Sequence, residues 1–169
     1  TFMRIDISDI LKHNGASLKL DFAEHVKVND FIPEDFDFGG PITFKGTLVN
    51  SGGIIKLDGE LWADYRAKCS RCLGDIDSKI HIAVKEDFIE EGSDKDEEDY
   101  YTYQGKFIEL EKVMIDNIIL NLPVKQVCDE ACKGYCPKCG ADLNNNECKC
   151  VNEDIDPRLE VFKNFFKDN

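Results

Sequence analysis

Apolar and polar side chains alternate in five stretches of the first half of the chain. These stretches are residues 3–7, 18–22, 42–48, 55–63 and 80–84. Alternation with period two is typical of a strand with one face on a core and the other in water. The cluster Asn50-Ser51-Gly52-Gly53 predicts a hairpin turn between two of the stretches. We therefore predict an antiparallel sheet, curled or barrel-like, over about residues 1–90.

The pattern changes to helical spacing further along the chain. Apolar residues recur three or four positions apart, until a proline ends the run, at Leu110, Val113, Met114, Ile118, Leu122 and Pro123. Ile115 and Ile119 widen the apolar stripe. This pattern predicts a long helix at about residues 108–122 that packs on the sheet or at an interface.

A second helix is predicted at the end of the chain. Asp156 can cap the free N–H groups of a helix, and Pro157 suits its first position. Leu159, Phe162 and Phe166 would then share one face. We expect this face to cover the protein's own sheet in preference to a partner's groove, because large exposed apolar patches are uncommon on monomers.

These elements predict an α+β protein in two parts. Residues 1–122 would form a mainly β core domain that carries an acidic loop at about residues 86–99 and the first helix. Residues 123–169 would form a cysteine-rich, zinc-knuckle segment followed by the C-terminal helix.

Charge is unevenly distributed along the chain. The formal net charge is −13, and nine acidic residues between positions 86 and 99 stand against one lysine. Like charges at this density repel one another, which favours a solvated loop. The alternative is a decoy surface for a basic protein or for a nucleic-acid-binding face.

The sequence also indicates the cellular compartment. No apolar run reaches the roughly 18 residues of a membrane span, and no basic-then-apolar leader precedes the first strand. We expect a cytoplasmic protein without a membrane partner or a small-molecule substrate. Reducing compartments keep ordinary thiols free, so the eight cysteines are better interpreted as metal ligands than as disulfides.

Four cysteines near the end of the chain have the spacing of a zinc knuckle. Cys136-Pro137-Lys138-Cys139-Gly140 brings two thiolates together in a tight turn, and Cys148 and Cys150 offer two more. Four thiolates can surround Zn²⁺ tetrahedrally. We therefore predict a first zinc site at Cys136, Cys139, Cys148 and Cys150.

The other four cysteines also come in pairs. Cys69 and Cys72 follow a predicted strand, and Cys128 and Cys132 precede the knuckle. They predict a possible second zinc site that ties the C-terminal segment to the sheet. A crossed arrangement stays open, in which Cys69 and Cys72 share an ion with the knuckle pair while Cys128 and Cys132 join the last two cysteines. One or two zinc ions are expected for each chain.

Redox chemistry is the alternative for the CxxC pairs. A thioredoxin-like pair follows a strand and opens a helix, whose N-terminus lowers the pKa of a thiol. Cys69-Ser70-Arg71-Cys72 follows a strand but leads into another strand-like run. The three histidines lie apart, and no phosphate loop or dinucleotide motif is found. We therefore expect no enzymatic activity, with a thiol oxidoreductase as the alternative.

Several motifs together resemble a known family. In chain order they are Cys69-Ser70-Arg71-Cys72-Leu73, Leu122-Pro123, residues 132–140, Cys148-Lys149-Cys150 and Asp156-Pro157-Arg158-Leu159. This order resembles the bacterial YceD family, the large ribosomal RNA subunit accumulation proteins. The resemblance implies a role in the synthesis or accumulation of 23S ribosomal RNA, and it carries over no catalytic residue.

Basic side chains around the cysteines are the candidates for contact with RNA. They are Arg66, Lys68, Arg71, Lys133 and Lys138. Cations of this kind position phosphates. The local charge is mixed, so ordinary solvated lysines are an equal alternative. The expected partner is therefore ribosomal RNA or a basic large-subunit ribosomal protein.

Overall fold

The computed structural model describes residues 3–26, 28–34, 36–93 and 99–150. Within these described residues, eight strands and two α-helices follow one another, with a short 3-10 turn at Val28–Asp30. The strands are β1 (Arg4–Asp6), β2 (Ser17–Glu24), β3 (Phe36–Asp37), β4 (Ile42–Ser51), β5 (Ile54–Lys68), β6 (Asp75–Glu90), β7 (Tyr101–Tyr103) and β8 (Phe107–Glu109). The helices are α1 (Ser8–Leu11) and α2 (Glu111–Asn121). None of the described helices is long and apolar enough to cross a bilayer.

Six strands form one open sheet. Its order is β2-β4-β5-β6-β7. β3 pairs with the part of β5 that extends beyond the N-terminal end of β4. All pairs are antiparallel except β6 with β7. The α+β class is confirmed, but the barrel-like closure is wrong. No described strand bridges the two edges, because β1 pairs with β8 in a separate two-stranded ribbon.

The core lies between one face of the sheet and α2. The central strands contribute fully buried side chains at alternate positions, including Phe44, Leu48 and Leu61. From α2, Val113, Met114 and Ile118 are equally buried. The alternation that predicted β2, β4, β5 and β6 is therefore the pattern of a sheet with one covered face.

The long helix is shorter than predicted. Residues 107–109 form β8 and pair with β1, so that Ile108 is completely buried opposite Ile5. The helix begins only at Glu111. The predicted C-terminal helix lies outside the described residues.

Part of the predicted acidic loop is a strand. Glu86, Asp87 and Glu90 belong to β6, and the chain turns only after them. Two of these acids have partners that offset like-charge repulsion. Asn117 donates a hydrogen bond to Glu86 at 2.8 Å, and Lys56 lies 3.5 Å from Asp87. Residues 94–98 of the predicted loop are outside the described part of the chain.

Ion pairs run along the exposed face of β5 and β6. Five directly opposed pairs of residues carry opposite charges: Lys56/Asp87, Asp58/Lys85, Asp64/Lys79, Arg66/Asp77 and Lys68/Asp75. Trp62 stacks on His81 in the middle of the row, with the ring centroids 5.1 Å apart. We call this row the charge ladder. Opposed opposite charges across a sheet each stabilise the pairing modestly.

Two opposed glycines make room for an aromatic ring in the core. Gly46 of β4 faces Gly59 of β5, and the ring of the fully buried Phe44 lies over both. A Cβ on Gly59 would lie 2.6 Å from that ring and 2.6 Å from the backbone oxygen of Lys45. Neither position can therefore hold a larger residue without moving a strand.

We predict that Gly59→Ala lowers the free energy of unfolding by about 1–3 kcal/mol, the usual effect of overpacking a core. Urea unfolding followed by the fluorescence of Trp62 measures it. Gly39→Ala is the matched control, because a Cβ there meets no atom within 4 Å. Equal stabilities of the two variants would contradict the assigned packing.

Candidate metal centres

The turn between β5 and β6 presents the first two cysteines. The N–H of Cys69 donates to the carbonyl of Gly74 at 2.8 Å, and the N–H of Leu73 donates to the carbonyl of Cys69 at 2.9 Å. Leu73 has a φ of 57°, a left-handed conformation that non-glycine residues seldom adopt. This tight turn places the sulfurs of Cys69 and Cys72 at the end of the hairpin. It leads into β6 and opens no helix.

Three contacts hold the segment after α2 against this turn. The N–H of Ser70 donates to the carbonyl of Gln126 at 2.8 Å. The Arg71 guanidinium donates to the carbonyls of Glu130 at 2.9 Å and Cys132 at 2.7 Å. These bonds bring Cys128 and Cys132 beside the hairpin.

Four sulfurs meet at this junction. Those of Cys69 and Cys132 are 4.0 Å apart, and those of Cys72 and Cys128 are 3.6 Å apart. All four lie within 4.8 Å of one another, and Cys69 and Cys132 are buried. We call this set the hairpin cluster. Its geometry could hold a metal ion.

The remaining cysteines form a second set of four. The CPxCG turn closes with a bond from the N–H of Gly140 to the carbonyl of Cys136 at 2.8 Å. The sulfur of Cys148 lies 3.4 Å from that of Cys136 and 3.5 Å from that of Cys139. With Cys150, all four sulfurs again lie within 4.8 Å of one another. This knuckle cluster could also hold a metal ion.

Asn144 joins the two clusters. It lies in the loop between Cys139 and Cys148, yet its side-chain amide donates to the sulfur of Cys132, 3.6 Å away in the hairpin cluster. Its oxygen accepts the N–H of Lys133 at 2.8 Å. The loop itself is shaped by Asp142, whose carboxylate accepts the N–H of Asn144 at 3.0 Å and so has a lowered pKa.

Backbone N–H groups favour one thiolate in each cluster. The N–H groups of Cys72 and Cys128 point at the sulfur of Cys69 and lower its pKa to about 6. The N–H groups of Cys139 and Lys138 lower the pKa of Cys136 to about 6 in the same way. Hydrogen bonds of this kind stabilise the charged form.

Neighbouring sulfurs oppose further ionisation. The pKa of Cys128 rises to about 12, mainly through its contacts with the sulfurs of Cys132 and Cys72. That of Cys150 rises to about 12, mainly through Cys148 and Cys139. Four thiolates this close would repel one another. A bound cation would offset that repulsion and so favour the ionised form of all four thiols.

The observed sets match one of the two groupings that the sequence left open. Cys136, Cys139, Cys148 and Cys150 lie together, as do Cys69, Cys72, Cys128 and Cys132. The crossed arrangement is not found. That these residues bind metal stays a prediction.

Three of the candidate RNA contacts already have partners within the chain. Arg66 pairs with Asp77 at 3.1 Å and Lys68 with Asp75 at 2.5 Å, both in the charge ladder. The guanidinium of Arg71 is directed at backbone carbonyls. Lys133 and Lys138 lie in the segment that connects and shapes the clusters. Each of the first three cations therefore already has an internal partner.

Comparison with known proteins gives the family. Residues 57–166 match the family described as large ribosomal RNA subunit accumulation protein YceD. The matched region is about two thirds of the chain and contains all eight cysteines. The chain belongs to the YceD family.

Two relatives show how far the similarity extends. The large ribosomal RNA subunit accumulation protein YCED homolog 1, chloroplastic, of Arabidopsis thaliana is 27% identical over 179 residues, which cover 88% of this chain and 54% of that protein. An uncharacterised protein of Mycobacterium tuberculosis is 29% identical over 163 residues, covering 92% of this chain and 77% of the relative. The chain thus spans about half the length of the plant protein. No solved structure shows a significant match.

Two residues that position the cysteines, Gly134 and Asn144, were not predicted from the sequence. Gly134 has a φ of 69°, and a Cβ there would lie 2.5 Å from the backbone oxygen of Arg71. Tyr135 donates its N–H to that same oxygen at 3.1 Å. The sequence signal for Gly134 was its position between the closely spaced Cys132 and Cys136. The sequence signal for Asn144 was weaker: Asp142-Leu143-Asn144 has the Asp-x-Asn pattern of a turn capped by a side chain.

We predict that Gly134→Ala loosens the junction more than Gly140→Ala does. Both substitutions place alanine at a left-handed φ, which costs about 1–2 kcal/mol. Only Gly134→Ala also drives a Cβ into the backbone of Arg71, since nothing lies within 4 Å at Gly140. Hydrogen exchange at the Tyr135 amide measures the difference. Equal exchange in the two variants would show that the contact with Arg71 does not hold the segment.

Proposed function

We propose that this protein is a non-enzymatic factor in the biogenesis of the large ribosomal subunit, acting in the synthesis or accumulation of 23S ribosomal RNA. The observation that carries the proposal is the family match over residues 57–166. The name of the plant relative, a large ribosomal RNA subunit accumulation protein homolog, supports the same role. The described fold adds no catalytic constellation of its own that would favour an enzyme.

We further propose that each cysteine cluster binds one Zn²⁺. A Zn–S bond is about 2.3 Å, so the sulfurs of a tetrahedral site lie about 3.8 Å apart. Four of the sulfur pairs are 3.4 to 4.0 Å apart, and the other pairs in each cluster lie within 4.8 Å. Four thiolates without an open coordination position are typical of a structural zinc ion. When bound, the ions would supply cross-links between the hairpin and the C-terminal segment.

The segment that would gain from zinc has little else to order it. Within residues 123–150, the buried residues are Cys132, Gly134 and Cys136, and none of them is a large aliphatic residue. Val124 is almost fully exposed, at 98%. Burial of apolar surface therefore cannot account for the order of this part of the chain, whereas structural zinc contributes about 10–16 kcal/mol in small peptides.

The partner that the charges favour is a basic large-subunit ribosomal protein. The net charge of −13 attracts cations, and filled tetrathiolate sites would make it more negative. A phosphate backbone would have to displace Asp77 from Arg66 and Asp75 from Lys68. A basic protein can instead approach the acidic surface without breaking these pairs. Direct binding of ribosomal RNA is the competing outcome.

The purified protein is expected to carry two zinc ions. Cys132→Ser and Cys148→Ser should each reduce the content to about one, because each removes a ligand from a different cluster. Elemental analysis of the protein gives the stoichiometry. Ser70→Ala is the control, since it lies in the hairpin turn but offers no ligand. A metal-free wild-type protein whose eight thiols all titrate freely would end the zinc proposal.

Depletion of the protein in its native cells is expected to lower 23S ribosomal RNA and large subunits relative to small subunits. Profiling of ribosomal subunits on sucrose gradients measures this effect. Wild-type protein should restore the profile, and so should the combined neutralisation of Arg66, Lys68, Lys133 and Lys138 to glutamine if the partner is a basic protein; Arg71 is kept because it holds the hairpin cluster together. Failure of that variant, with loss of RNA binding in a filter assay, would favour RNA as the partner. An unchanged profile on depletion would contradict the proposed function.

A further inference from the structure

The outer edge of β2 carries unused backbone hydrogen-bonding groups. β2 pairs with β4 on one side, and no described strand pairs with it on the other. It runs for eight residues, Ser17–Glu24, without a proline or glycine. An edge of this length is a template for strand addition.

The hairpin between β4 and β5 fixes which groups face outward. Ser51 and Ile54 are the closing pair around the two-residue turn Gly52-Gly53, and such a pair is hydrogen-bonded. Odd-numbered residues of β4 therefore bond to β5, and even-numbered ones bond to β2. The N–H of Asn50, which donates to the carbonyl of Ala16 at 2.9 Å, agrees with this parity.

The same parity continues into β2. Its even-numbered residues bond to β4, so the N–H and C=O groups of the odd-numbered ones point away from the sheet. These residues are Ser17, Lys19, Asp21 and Ala23. Within the described chain no backbone or side-chain hydrogen bond reaches them from that side.

The apolar face is incompletely covered at this edge. Leu18 and Phe22 are only half-buried, whereas Leu48 and Phe44, their partners on β4, are completely buried. The Phe22 ring already packs on Phe44, with centroids 5.5 Å apart. A strand added outside β2 would remove the remaining apolar surface from water.

The sequence of β2 is complementary to itself. In an antiparallel pair of two β2 strands that is centred on Leu20, Lys19 of each copy lies opposite Asp21 of the other. Leu18 then faces Phe22, and the odd-numbered residues form the hydrogen-bonded pairs, as their outward groups require. Moving the centre by one residue either way keeps that parity but opposes Lys19 to Lys19 or Asp21 to Asp21. Like charges directly opposite each other are destabilising.

Both charges are available for such a pair. Lys19 is exposed and makes no ion pair with any described residue. Asp21 is exposed and lies 3.2 Å from Lys45 of the same chain, on the side away from the open edge. A carboxylate can accept from two lysines at once.

We propose that two copies of this chain associate through β2, antiparallel and centred on Leu20, so that their sheets become continuous. The symmetry is two-fold, and both copies use the same surface. This inference does not depend on the ribosomal role or on zinc, and its test uses the full chain alone.

Hydrogen exchange followed by NMR distinguishes this dimer from any other. On raising the protein concentration, the amides of Ser17, Lys19, Asp21 and Ala23 should become protected, in step with a rise to dimer mass in analytical ultracentrifugation. The amides of Leu18, Leu20 and Phe22 bond to β4 and should be protected at every concentration, which also confirms that the protein is folded. A monomer throughout, or a dimer with unprotected odd-numbered amides, would overturn the proposal.

Charge reversal tests the register. Lys19→Asp places two like-charged pairs across the interface and should weaken the dimer about tenfold. The exchange K19D/D21K, combined with K45Q so that the new lysine does not face Lys45 of β4, restores opposite charges at the interface and should restore the affinity. Lys125→Asp, an equal change of charge at an exposed residue of the C-terminal segment, is the control and should leave the affinity unchanged. An exchange variant as weak as Lys19→Asp would show that these side chains do not face each other.

Discussion

The pairing of β5 with β6 is the constraint on which the rest of the structure depends. It joins fourteen consecutive positions, from Ile55 opposite Phe88 to Lys68 opposite Asp75. One end of this hairpin packs with α2 over the core, and the other end carries Cys69 and Cys72. The sulfurs are therefore held at a fixed place relative to the sheet. The segment after α2 has only to reach that place to complete the hairpin cluster.

The charge ladder explains why this register is the stable one. A shift by one residue would turn the apolar face to water. A shift by two keeps the faces but brings Lys56 opposite Lys85 and Asp64 opposite Asp77, or, in the other direction, Asp58 opposite Asp87. Individually such surface pairs are weak. Together they favour the observed register over its neighbours, so the exposed face contributes to where the cysteine turn falls.

How much of this could be predicted from the sequence depends on the range of the interactions involved. Alternation over five or more residues is a local signal, and it predicted β2, β4, β5 and β6. The short β8 was missed because Ile108 becomes a strand residue only by pairing with the distant Ile5. The open sheet was missed for the same reason, since closure depends on where β1 goes. Spacing identified the pairs of cysteines, but which pairs meet is decided by the contact of Arg71 with the carbonyls of Glu130 and Cys132.

The amide of Asn144 has a consequence for how the two clusters would fill. It belongs to the loop of one cluster and donates to a sulfur of the other. Ordering either loop fixes part of the other in advance, so the second ion would meet a site whose conformational entropy has already been lost. Binding of one ion would then raise the affinity of the other cluster, although each cluster has four sulfurs of its own and can still fill alone.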